Sequence, residues 1–241
     1  MLVLILLIAG GLAIPAGAGF AQSSNPFARL LGEDRSARAE RVATWYVRAD
    51  GAGRFIFDRT VEPALIWREG DPEVIAVERS SASGGGEVWV GDTGRTWLRF
   101  SNLGGATYFP EDAPDGVIVD PVGRAQTLVP PPLTNTQLQA AAREMVDALA
   151  ELTRSEVTAQ ITPLSASENA YIADTMTMVV IGSRAAGRRE VRELQAVRIG
   201  FGEAPQVVFT RGALDITVAP ALGYGGRPSS DAIRRAFSTG R

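Results

Sequence analysis

The chain has 241 residues, 45% of them hydrophobic and 21% charged, which suits one large or two small packed domains rather than a disordered polypeptide. A formal net charge of −3 supplies no concentrated basic surface for a nucleic acid or an anionic membrane. There is no His, Cys or Lys, and all 24 basic residues are Arg, which removes Ser-His and Cys-His nucleophile systems, Ser-Lys dyads, Lys Schiff bases, disulfides and the usual zinc, copper and haem ligands.

Residues 2–14 form an almost unbroken apolar run, followed by Pro15 and the small-residue stretch 16–21. Ala16-x-Ala18 and Gly19-x-Ala21 fit a signal-peptidase site, so 1–21 reads as an export segment. No Arg precedes the run, and an uncleaved membrane anchor is the competing reading. The run is short for a spanning helix, which needs about 20 residues. Residues 22–42 read as a polar linker with a possible short helix at 35–41.

From 43 to 110 the pattern is β. Segments 44–48, 54–58, 64–68, 73–77, 87–90, 96–100 and 106–109 are separated by Gly, Asp and Pro turns. Links this short favour an antiparallel meander, because parallel crossovers need about a dozen residues or more. Residues 111–133 read as an irregular crossing ending in three prolines. Thr134 and Gln137 then make a capping box ahead of a helix at 135–154, with Leu138, Ala142, Met145, Leu149 and Leu152 on one stripe. A strand at 157–162 precedes a second helix capped by Ser165 or Ser167 and running to about 181. The β-branched residues of 175–181 also allow a strand there. Strands at 191–199, 206–210 and 214–218 follow, then a terminal helix from Ser229, Ser230 or Asp231 to about Phe237. The expected architecture is α+β: an N-terminal antiparallel β meander followed by two or three helices interleaved with further strands, with 43–241 as a single domain, because the helical stripe needs a sheet to cover.

Three short stretches carry a family likeness: Gly53-Arg54-Phe55-Ile56-Phe57-Asp58, Gly104-Gly105-Ala106-Thr107-Tyr108-Phe109 and Gly225-Gly226-Arg227-Pro228-Ser229-Ser230. With them the chain resembles an uncharacterised family of exported alphaproteobacterial proteins, defined as a domain of unknown function. The resemblance implies an envelope location and no activity, substrate or catalytic residue.

Carboxylate acid–base chemistry, oxygen-ligated Ca²⁺ or Mg²⁺, Arg–anion recognition and plain binding remain open. Glu111, Asp112, Asp115 and Asp120 cluster in the crossing, and Asp112, Asp115 and Asp120 are the candidate catalytic acids of a glycan hydrolase. Turn chemistry is the favoured reading of Asp112-Ala113-Pro114-Asp115-Gly116, and the spacing lacks the pattern of a calcium loop. Arg227 with Ser229 and Ser230, at a helix start, is the candidate ligand site for an anion, against plain capping and docking of the last helix. Trp45, Trp67, Trp89 and Trp97, with Tyr46 and Tyr108, could form a sugar-stacking platform or simply a core. The functional expectation is a periplasmic or secreted, non-enzymatic protein that binds an envelope component or a partner protein. It would use no metal or cofactor, bind no nucleic acid, and touch the membrane only through a retained N-terminal segment. The alternative is a carboxylate-dependent hydrolase acting on glycan.

Overall fold

The computed structural model describes residues 41–81 and 85–239. The expected export segment and nearly all of the expected linker lie outside the described residues. Eight strands come first: β1 (Ala43–Arg48), β2 (Arg54–Asp58), β3 (Ala64–Arg68), β4 (Val74–Ser81), β5 (Gly86–Gly91), β6 (Thr96–Ser101), β7 (Ala106–Tyr108) and β8 (Val117–Arg124). Each pairs antiparallel with the next, and β8 returns to pair antiparallel with β1, so the set closes into a barrel.

The open meander expected from sequence is therefore wrong, and the closing strand lies inside the stretch 111–133 read as an irregular crossing. Pro121 hid it, since proline lacks the N–H that a ladder needs. The register shows how the strand tolerates it. Trp45 pairs with Gly123 and Tyr46 with Pro121, which leaves Val122 bulged out of the ladder and 58% exposed. Closure also leaves no sheet edge on the barrel.

Alternation fixes the barrel interior. Tyr46, Phe55, Phe57, Ile66, Val77, Trp89, Leu98, Phe100, Tyr108 and Val119 form one buried cluster, and an eight-stranded barrel is just wide enough for such side chains to fill. Phe55 stacks on Tyr108 at 4.2 Å between centroids, and Phe57 meets Trp89 edge-on at 4.9 Å. The outward positions Ile56, Asp58 and Leu65 are also buried, so the rest of the unit covers that side of the barrel.

The second part holds α1 (Asn135–Thr153), β9 (Thr158–Ile161), α2 (Ala166–Ala186), the short α3 (Arg188–Val191), β10 (Ala196–Phe201), β11 (Gln206–Thr210), β12 (Ala213–Val218), a 3-10 segment (Pro220–Gly226) and α4 (Ser230–Thr239). Its sheet runs β11-β12-β10-β9, with β10 parallel to both β9 and β12 and β11 antiparallel to β12. Helices α1 and α2 both open on complete capping boxes, Thr134 with Gln137 and Ser165 with Glu168. Residues 175–181 are helical. The cap starts α2 in register, and buried positions from Asn169 to Ser183 satisfy its β-branched residues by packing. A second core joins Leu138, Met145 and Leu149 of α1 to Ile172, Met176 and Val179 of α2, to Val197, Leu214 and Ile216 of the sheet, and to Ile233 and Phe237 of α4. Residues 191–195 lie outside the strand expected at 191–199, which begins at Ala196.

Candidate functional site

Two regions gather polar side chains. The first is the junction where the barrel wall meets the loop before α4, and it holds Arg227, Ser229 and Ser230. The Arg227 side chain is 1% exposed. Its Nε lies 2.6 Å from Asp174 Oδ2 of α2, and its Nη1 and Nη2 donate to the carbonyls of Pro228 and Val74. The Arg227–Asp174 contact is an ion pair without hydrogen-bond alignment, since neither Nε nor Oδ2 has a hydrogen-bond partner. The guanidinium also sits 5.0 Å over the Tyr224 ring.

The first turn of α4 is held by carboxylates from the barrel. Glu73 accepts from the Ser230 N–H at 3.1 Å and from its hydroxyl, and Asp92 accepts from the Ser229 N–H at 2.9 Å. The Ser229 hydroxyl accepts from Ala232 N, as a cap does. Burial pushes the Glu73 carboxyl up against the pull of Ser230 and Arg227, and it pushes Asp174 up against the pull of Arg227. The glycines of the motif are needed for closeness. A Cβ on Gly226 would stand 1.8 Å from the Ala219 carbonyl oxygen, and one on Gly225 would stand 3.0 Å from the Pro63 ring. Arg227 and its neighbours thus clasp the barrel to the helical part.

Beside the clasp runs a groove of about 610 Å³. Its floor is the outer face of β4, namely Val74, Ala76, Glu78 and Ser80. Its far wall holds Leu222, Tyr224, Gly225, Arg227 and Ser229. Sequence reasoning found Arg227 and Ser229 but missed Glu73, Asp92 and Asp174. Nothing in the sequence shows that a turn before β4 and the middle of a helix converge on one arginine.

The second region is a recess of about 450 Å³ at one end of the barrel, lined by Arg48, Arg54, Arg68, Glu69, Asp71 and Asp112 among others. Arg48, 5% exposed, donates Nε and Nη2 to the two Asp50 oxygens at 3.0 and 2.7 Å, and Nη1 to Asp112 Oδ2 at 2.6 Å. The bond from Arg48 holds the Asp112 carboxyl below the usual carboxylate range. Of the four acids singled out in the crossing, only Asp112 lines this recess. Glu111 pairs with Arg95 at 3.2 Å, and Asp115 and Asp120 are exposed. Among the described residues no group of three or more acids is placed to hold a metal ion.

The aromatic residues divide. Tyr46, Trp89 and Tyr108 fill the barrel, whereas Trp45 and Trp67 meet edge-on outside it at 6.1 Å, with Arg54 stacked 4.4 Å over Trp45. Trp97 packs half-buried against the barrel core, with Arg95 over its ring at 4.1 Å. They form no single platform.

Fold and site together define a filled eight-stranded barrel clasped through hydrogen bonds at Val74, Glu73 and Asp92 to a four-stranded sheet with helices. A family model described as "Domain of unknown function (DUF4908)" matches residues 26–237, and the chain belongs to that family. Neither a curated protein nor a solved structure matches the chain.

Proposed function

We propose that the protein is exported to the periplasm or beyond and acts there without catalysis, binding an envelope component or partner protein in the groove along β4. The observation that carries this reading is the groove itself. One wall is barrel strand and the other is a loop pinned by Arg227, so the site is formed before anything enters it, and preformed clefts of this size suit ligand capture. Val74, Ala76 and Ser80 of its floor are short side chains, which leaves room for an occupant. Export rests on the apolar run 2–14 and the small residues after it. No helix among the described residues is long and apolar enough to cross a membrane.

Placing Arg at Ala76 should fill the groove floor, and the purified protein should then lose retention on isolated envelope while its unfolding midpoint stays put. Undiminished retention would remove the groove from the reading. Fractionation should find the chain outside the cytoplasm, shortened by about 20 residues as a signal segment of ordinary length predicts; a full-length cytosolic chain defeats the export half.

The glycan-hydrolase alternative finds its support in Glu73 and Asp174, two carboxyls held above their usual range by burial, as a general acid requires. Both are engaged, by Ser230 and by Arg227. Glycan cleavage abolished by Glu73→Gln would favour that alternative.

A further inference from the structure

We propose that the recess at the Arg48 end of the barrel is a binding site for an organic carboxylate, and that Asp112 is a resident stand-in which the ligand displaces. Three arginines line it, Arg48, Arg54 and Arg68, against three acids, Glu69, Asp71 and Asp112. These acids are not equally committed. Glu69 is held by both nitrogens of an Arg54 fork, at 2.9 and 2.5 Å, on the adjoining strand. Asp71 accepts from Arg68 at 2.8 Å and from Glu73 N at 3.1 Å, and its carbonyl accepts from Trp67 Nε1 at 2.7 Å.

Asp112 is held by less. It comes from a turn-rich loop 64 positions away in the chain from Arg48, it is 51% exposed, and it reaches the recess through one hydrogen bond. Its other oxygen stands 3.8 Å from Arg68 Nη1, too far for a hydrogen bond. The Arg48 side chain, by contrast, is almost wholly buried and cannot turn to solvent for a replacement. If the Asp112 loop lifts, each arginine keeps one carboxylate partner, Asp50, Glu69 or Asp71, but the inward Arg48 Nη1 is left without an acceptor, with an Arg68 Nη1 beside it. A carboxylate bridging those two nitrogens supplies the missing acceptor, and guanidinium donors match carboxylate oxygens in plane and spacing. The rim is open at Gly53 and Gly70, where an added Cβ would meet nothing within 4 Å. A volume of about 450 Å³ leaves room for the body of the ligand behind its acid group.

The test is chemical rescue of Asp112→Ala. The variant should unfold at a lower temperature than wild type. Millimolar malonate should restore most of the loss, whereas sodium chloride at matched ionic strength and inorganic phosphate should restore little. Adding Arg68→Gln to Asp112→Ala should abolish the rescue. In wild type, malonate should bind at least tenfold more weakly than in the variant, because it must first evict Asp112. Should Asp112→Ala not fold, the same comparison runs by calorimetric titration on Asp112→Asn, which keeps the shape and removes the charge. Stabilisation by chloride equal to that by malonate, rescue that survives Arg68→Gln, or a response to phosphate alone would each overturn the proposal and leave Asp112 as a loop staple.

Discussion

At the scale of single residues, the two kinds of buried acid respond oppositely to pH. Asp58 is fully buried, and burial alone would raise its carboxyl. Four donors outweigh this: Thr60 through N–H and hydroxyl at 2.8 and 2.6 Å, Thr127 at 2.8 Å and Leu128 N at 2.7 Å. Its pKa lies below that of the unfolded chain, so its contribution is present above about pH 4 and lost as pH falls through the depressed value. Asp58→Asn should cost about 2 kcal/mol at pH 7, since an amide nitrogen replaces an acceptor among donors. The cost should shrink at pH 3, as read from urea unfolding at the two pH values. Glu73 and Asp174 carry the other sign: raised by burial, their contribution is complete below about pH 4 and fades as pH rises through the raised value. The Arg227–Asp174 pair adds a coupling. Arg227→Met alone leaves a carboxylate buried and should cost about 3 kcal/mol, whereas Arg227→Met with Asp174→Leu should cost less than the sum of the two single changes.

Among elements, legibility followed locality. The strands from β1 to β7 and the helices α1, α2 and α4 were readable because alternation, capping boxes and turn residues are written within a few positions. Barrel closure was not, because it depends on β8 finding β1 about 70 residues back in sequence, and Pro121 and Gly123 argue locally against a strand. The clasp was half legible for the same reason: the Gly-Gly-Arg-Pro-Ser-Ser stretch stands out in the sequence, whereas Glu73 and Asp174 look like any surface acids. Gly182 is a further case of a contact invisible in the pattern. It sits inside α2, where Ala is intrinsically better by about 1 kcal/mol. Yet its Cβ would stand 2.6 Å from the Ser230 carbonyl and 2.9 Å from Ile233 Cβ. Backbone cannot step aside cheaply, so the clash should win over propensity. Gly182→Ala should lower stability by about 1–2 kcal/mol and Gly182→Val by more, measured by denaturant unfolding.

For the whole molecule, the question is how two separate hydrophobic clusters come to behave as one body. The barrel core and the sheet-and-helix core share no residue. Beside the apolar cover over Ile56 and Leu65, polar bonds join them: Arg227 to Val74, Glu73 to Ser230, Asp92 to Ser229, and Asp58 to the segment at 127–128 that leads toward α1. Polar bonds of this kind each contribute little in net free energy, about 1 kcal/mol, but a broken buried one costs more than it gave. The coupling between the cores should therefore be sharp and vulnerable. Wild type should unfold in a single calorimetric transition whose van't Hoff and calorimetric enthalpies agree. With Glu73→Ala and Arg227→Met together, the bonds to Ser230 and Val74 are lost while no apolar core residue changes, and the heat-capacity trace should split into two peaks. The barrel peak can be followed separately, because all four tryptophans lie on barrel strands and report it by fluorescence. A double variant that still melts in one step, with fluorescence and circular dichroism coincident, would mean that the apolar cover over Ile56 and Leu65 and the bonds from Asp92 and Asp58, rather than Arg227 and Glu73, weld the halves together.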